Sequence, residues 1–302
     1  MSSPTSSNPK NYGGQALIEG VLIRGLNVVS VAIRRPDNSI FVTTEILKSK
    51  WLNKLRRIPI IRGSIVLGEM LTIGTRALTL SAKIATEDEP DEELSSTAIG
   101  FSLLISLTVG IGLFFVTPAA VTSLIDSLIL TNNITSNIIE GFIRLSLFLG
   151  YIILIGFSSE VRRVFSYHGA EHMTIHAFEH NRELTTSNIR EYGTPHPRCG
   201  TAFLLVVLFI AIVSHIFWTP PILWERVASR IIMLPLITGI SYEIIRWSSS
   251  HTSNKLVKAI IAPNLMLQSL TTKQPDDQQI EVAVAALTSA IEADRKYNEQ
   301  NN

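Results

Sequence analysis

Four of the chain's seven histidines fall four residues apart, at His168, His172, His176 and His180, with Glu171 and Glu179 among them. At 100° per residue on a helix, His168, His172 and His176 fan over about 80°, and Glu179 falls inside the same arc. One helix face can therefore present several nitrogen and oxygen donors to one ion. His168-Gly-Ala-Glu171-His172 also spells H-x-x-E-H, the inverted zinc-protease spacing. In that chemistry His168 and His172 bind a divalent metal, zinc being the expected cofactor, and Glu171 is the catalytic base acting on a metal-bound water. The same residues read equally as a polar helix with solvated or hydrogen-bonded histidines. His180, some 120° round from His168, belongs at the surface.

Three further donor positions lie elsewhere. His196 and Cys199 form an H-x-x-C in the proline-stiffened loop Thr194-Pro-His-Pro-Arg-Cys-Gly200. They suit a metal through nitrogen and thiolate, or a thiol activated by His196. A buried cysteine at a polar helix entrance is the plain alternative. Glu243 is the candidate third ligand, because a site of the inverted type takes a carboxylate from later in the chain; an i+3 pair with Arg246 is the competing role. Glu19, with Arg24 nearby in sequence, is a fourth carboxylate.

The elements that must position these donors are mostly apolar. Hydrophobic residues make up 46% of the 302 residues and charged ones 17%, which points to a membrane protein rather than an ordinary soluble enzyme. A net charge of +1 offers no field for neutralising phosphates, so no nucleic-acid partner is expected. With Cys199 the only cysteine, no internal disulfide can form.

The expected fold is mainly α, a polytopic membrane protein with about four transmembrane helices, an interfacial amphipathic helix and a small N-terminal β element. Residues 1–11 form a disordered N-terminus. Residues 12–50 are the β element, with strand, turn, strand over 28–47. Residues 51–97 comprise a helix, polar only along Arg62, Glu69, Arg76 and Lys83, and an acidic linker. Residues 98–250 form the four-helix membrane domain, with spans at 98–118, 139–157, 201–218 and 227–245. Glu140 and Arg144, near the start of the second span, are expected to snorkel to the headgroups. Residues 251–302 form a tail, with a polar linker at 268–277 and an amphipathic helix capped by Asp276 or Asp277. The segment 158–200, carrying the histidines, holds five arginines, whereas 119–138 holds neither Lys nor Arg. By the positive-inside rule this places both termini and the histidines on the cytoplasmic side of the inner membrane.

Six stretches occur in an order that matches one family: GGQALIEGVLIRG, PIIRGSIVLGE, RRVFSYHGAEH, HPRCGTAFL, Tyr242-Glu243 and LTTKQPDDQQIEVAVAAL. Through them the chain resembles the YqhQ-like bacterial membrane protein family, over nearly all its length after residue 11. The resemblance implies a metal-dependent enzyme of the membrane and gives functional weight to Glu19, Arg24, His168, Glu171, His172, His196, Arg198, Cys199 and Glu243. Met173 departs from the family's pattern, in which a lysine follows HGAEH, so a substrate-binding role for that charge does not carry over. The combined expectation is a hydrolase at the cytoplasmic membrane face. Its site joins His168, His172, His196, Cys199 and Glu243 to metal, with Glu19, Arg24 and Arg198 in support. Its partners are membrane lipids and a membrane-associated peptide or lipid, with a homo-oligomer compatible. The alternative class is a scaffold or transport component with a structural metal site.

Overall fold

Two glycine-bounded hairpins open the chain in the computed structural model, which describes residues 12–47, 58–86, 96–129, 132–197, 199–216, 222–251 and 254–301. The expected N-terminal disorder, the basic cluster Lys54, Arg56 and Arg57, the acidic linker at 87–93 and Arg198 lie outside these residues. Strands β1 (Gly13–Leu17), β2 (Gly20–Arg24), β3 (Val28–Arg34) and β4 (Ile40–Ile46) form an antiparallel meander in chain order. The expected strand, turn, strand over 28–47 is thus β3 and β4.

Both faces of the sheet are covered, which is why β2 and β3 read as continuous apolar runs. Alternation sorts them: Val21, Ile23, Val28 and Ala32 join one core, and Leu22, Val29, Val31 and Ile33 join the other. The first core is closed by helices α5 (Ser159–Glu179) and α11 (Asp277–Asn301), the second by Ala77 and Ile84 of α1 (Ile61–Ala85). Helix α11 starts on a reciprocal cap. Asp276 Oδ1 accepts from Gln279 N, and Gln279 Oε1 accepts from Asp276 N. At its other end the buried Asp294 accepts from the backbone N–H of Leu26 and of Asn27, both at 2.8 Å, and so ties α11 to the β2–β3 turn. Asp294→Ala should cost about 2–4 kcal/mol, because two charge-assisted bonds from a buried carboxylate vanish together. Thermal unfolding of the two proteins side by side tests this.

The apolar helices depart from the sequence expectation at their breaks. Helix α2 (Ser96–Ile111) does not end at Pro118 but runs through a π-helical turn, Gly112–Val116, into α3 (Thr117–Ile129). Pro118 has no N–H for the Phe114 carbonyl, and Arg144 Nε donates to that oxygen instead, at 3.0 Å. The second expected span begins earlier, as α4 (Asn133–Ile155), because the Asn132 side chain caps it by accepting from Thr135 N. The third is α7, described over Gly200–Ile216. The fourth is broken at Met233, ahead of Pro235, into α8 (Leu223–Ile232) and α9 (Leu234–Ser250), bent by 42°. Among the described residues, three helices are long and apolar enough to cross a membrane: α1, the continuous 100–129 stretch, and α4. The bent pair makes a fourth if it counts as one.

Glu140 and Arg144 do not snorkel. Glu140 is 2% exposed and receives Arg144 Nη2 at 2.6 Å, and Arg230 of α8, also 2% exposed, grips it through Nε at 3.0 Å and Nη2 at 2.9 Å. Arg230 also reaches Asn137 Oδ1 at 3.0 Å. A charge held among apolar helices needs such partners, and they lie inward from the α4 face that Phe142 exposes.

Helix α1 joins the two halves. Near its start Gly63 lies against Gly239 and Tyr242 of α9, and further along Gly74 lies against Gln15 of β1. The tail holds one more element than expected: α10 (Lys255–Thr271) continues through Pro263 and takes in the first residues of the supposed polar linker.

Candidate metal centre

The histidine stretch is a helix because Ser158 caps it, its Oγ accepting from Val161 N, and because its inner face fits the sheet. Tyr167, Ala170, Met173 and Ala177 enter the first core, which turns His168, His172 and His176 along an adjoining face toward the loop at 194–199. Met173 is 1% exposed, so the position that departs from the family's lysine is here a packing residue.

Three histidines share one arrangement. His168 Nδ1–H donates to the Thr271 carbonyl oxygen at 2.9 Å, His172 Nδ1–H to that of Thr194 at 2.5 Å, and His176 Nε2–H to that of Pro195 at 2.9 Å. A carbonyl can only accept, so each bond fixes a tautomer and leaves the opposite ring nitrogen with a lone pair. Metal-bound histidines are held in this way by their outer neighbours. The carbonyl of Thr271 reaches His168 because Gly169 carries no Cβ. One built there would come within 2.1 Å of the Lys273 carbonyl oxygen, so the glycine of HGAEH lets the end of α10 close on α5.

Ligand atoms of His168, His172 and Cys199 lie within 4.8 Å of one another, and His168 Nε2 is 3.3 Å from Cys199 Sγ. Donors at zinc distances of about 2.0 Å and 2.3 Å, set tetrahedrally, stand roughly 3.5 Å apart. The His168–Cys199 separation is close to that spacing, and two imidazoles with fixed tautomers and one thiol are donors of the kind that a zinc-class ion takes. A second group, His176, Glu179 and His196, meets the same 4.8 Å limit.

Glu171 is 3% exposed, and its Oε2 is 3.6 Å from His172 Nε2. Burial raises its carboxyl pKa, opposed by the neighbouring His168 and His196 and by a hydrogen bond from the Gly14 backbone. It borders a cavity of about 30 Å³ with Tyr12, Gly14, His172, His196 and Cys199, room for one or two waters. Burial also lowers the pKa of His172 and His196, and takes His176 down to about 4. Neutral imidazole is the form in which histidine can bind a metal.

The structure separates the other expected donors. His196 falls with His176 and Glu179 rather than with His168 and His172. Glu243 is not part of either group. It pairs with Arg62 of α1 through Nε at 2.6 Å and through a second close contact to Nη2, and it accepts from Ile60 N. Sequence distance hid that partner, through which Glu243 joins α9 to α1. Glu19 and Arg24 are not partners of each other. Glu19 holds Arg163 Nη2 at 2.6 Å and accepts from Tyr167 Oη at 3.1 Å, one residue before His168, whereas Arg24 pairs with Glu69 at 2.8 Å. Of these two, only Glu19 braces the histidine helix.

Sequence reasoning missed Gln268. This buried side chain accepts from His196 N at 2.7 Å and donates to His196 O at 3.0 Å, clamping that loop residue from α10. It also missed the carbonyls of Thr194, Pro195 and Thr271, which have no side-chain signature. The apolar i, i+3 and i+4 pattern running through Pro263 was the available signal for α10.

Among curated proteins, the "Uncharacterized protein YqhQ" of Bacillus subtilis (strain 168) is 33% identical over 305 residues, covering 97% of this chain and 96% of that protein. No solved structure matches the chain. The family model described as "Protein of unknown function (DUF1385)" matches residues 58–293, a range that takes in α1, the histidine helix and most of α11. With that match and that relative, the chain belongs to the DUF1385 family.

Proposed function

We propose that this protein is a membrane-embedded, metal-dependent hydrolase whose centre is His168, His172 and Cys199, with Glu171 as the proton-transfer group. The observation that carries the reading is the fixed tautomer of both histidines, each tied through Nδ1 to a backbone carbonyl, with Nε2 turned toward a thiol. Three protein ligands leave a tetrahedral ion one open position, as catalytic rather than structural sites do. A zinc ion bound there would supply a Lewis acid that brings the pKa of a water toward neutrality. Glu171 shares a cavity with His172 and Cys199, so it can take a proton from a water there and return it to a leaving group. Its burial-raised pKa suits both directions. The 100–129 helix, α4, α7 and the bent α8–α9 pair are read as membrane-spanning and α1 as interfacial, with both termini and the centre on the cytoplasmic side. The substrate is then a membrane-associated peptide or lipid.

Metal analysis of purified protein tests the reading, with His168→Ala and His172→Ala expected to lose the ion that wild type retains. Glu171→Gln should keep the metal and lower turnover of supplied peptide or phospholipid by about 10²–10⁴-fold. One observation favours a second reading. The cavity is too small for a substrate, which suits a closed structural site in a scaffold. In that case Glu171→Gln leaves every function intact, and His172→Ala unfolds the domain.

A further inference from the structure

The donor set described so far leaves His176, Glu179 and His196 unused, although their ligand atoms lie within 4.8 Å of one another. We propose that these three residues form a second divalent transition-metal site, one turn further along α5 and beside the first. The proposal stands on its own geometry and does not require the first site to be catalytic.

His176 and Glu179 are three apart on α5, so they share a face, and His196 comes to them from the loop. His196 Nε2 stands 3.5 Å from Glu179 Oε2, close to the roughly 3.0–3.4 Å that separates two donors about 2.1 Å from one ion. The rings of His176 and His196 have centroids 4.4 Å apart. Both outer supports are in place. The Pro195 carbonyl takes the His176 Nε2–H and leaves Nδ1 as donor, and Gln268 clamps the His196 backbone through two hydrogen bonds. Tyr192 stacks parallel on His176 at 5.9 Å and limits its rotation.

Two histidines and one carboxylate make a harder set than two histidines and a thiolate. Such a triad binds ions of the iron, manganese and cobalt class and keeps positions open, whereas the thiolate set favours zinc. His172 and His196 have ring centroids 5.6 Å apart, and both border the cavity that holds Glu171. The two ions would therefore face one small polar chamber from two sides.

Titration of the full chain in detergent with cobalt(II) separates the sites, because only a thiolate ligand gives an intense sulfur-to-cobalt charge-transfer band. Two equivalents are expected to bind, one with that band and one without it. Glu179→Gln and His176→Asn should weaken the bandless equivalent by at least about 100-fold while the band persists, which also shows that the variants are folded. Cys199→Ser should remove the band and keep the bandless equivalent. A single equivalent in wild type, or a bandless one that both helix variants leave unchanged, overturns the second site. Loss of the band alone in wild type counts against the first site and leaves the second standing.

Discussion

Replacing His172 with alanine is expected to lower zinc affinity by about 10²–10³-fold. Structural zinc sites bind with roughly 10–16 kcal/mol shared over four ligands, so one ligand accounts for about 3–4 kcal/mol. His172 is 2% exposed and held at Nδ1 by Thr194, so its ring is already oriented and its loss removes one pre-positioned nitrogen. Competition against a chelator of known affinity gives the number. A change of threefold or less would show that His172 is an ordinary buried histidine, held by its carbonyl and nothing more.

Glu140→Ala is expected to destabilise the helical part by about 3–5 kcal/mol, the usual cost of removing one partner from a buried pair. Glu140 is the carboxylate that Arg144 and Arg230 share, and these arginines are 9% and 2% exposed. Truncation leaves two guanidiniums facing each other across an apolar interior. The same change also loosens Arg144, whose Nε answers the Phe114 carbonyl that Pro118 leaves open, so the bend between α2 and α3 is weakened too. At roughly 2–4 °C per kcal/mol for a chain of this order of size, the midpoint should fall by about 10 °C in detergent. The triple replacement Glu140→Leu, Arg144→Met and Arg230→Met should recover part of that loss, since it removes all three charges together and gives up only the bond to the Phe114 carbonyl. A midpoint within about 2 °C of wild type for Glu140→Ala would mean that water reaches the cluster.

The sequence was most legible where chemistry and local geometry coincide. The His168-Glu171-His172 spacing lies on one helix, and fixed 3.6-residue geometry brings it together before any tertiary contact forms. The strand pair over 28–47 and the cap at Asp276 were legible for the same reason, since alternation and capping are local patterns. The partners of Glu243 and Glu19 were not. Each carboxylate had an arginine a few residues away, Arg246 and Arg24, yet each pairs with one far along the chain, Arg62 and Arg163. Long-range packing decides between two chemically equal guanidiniums, and sequence spacing carries no record of that choice. Glu140 and Arg144 misled in another way, because a charge near a span end normally reaches for headgroups, and only the break between α8 and α9 brings Arg230 against them. His196 was recognised as a donor, but its assignment to the second group depends on Gln268 of α10, a helix that Pro263 concealed.

In the proposed centre, His168, His172 and Cys199 hold one ion together. Zinc K-edge X-ray absorption on purified wild type loaded with one equivalent of zinc tests it most directly. The expected spectrum contains one sulfur scatterer at about 2.3 Å, together with nitrogen at about 2.0–2.1 Å, and the sulfur shell disappears in Cys199→Ser. A shell of nitrogen and oxygen alone, or protein that retains no zinc, would contradict it.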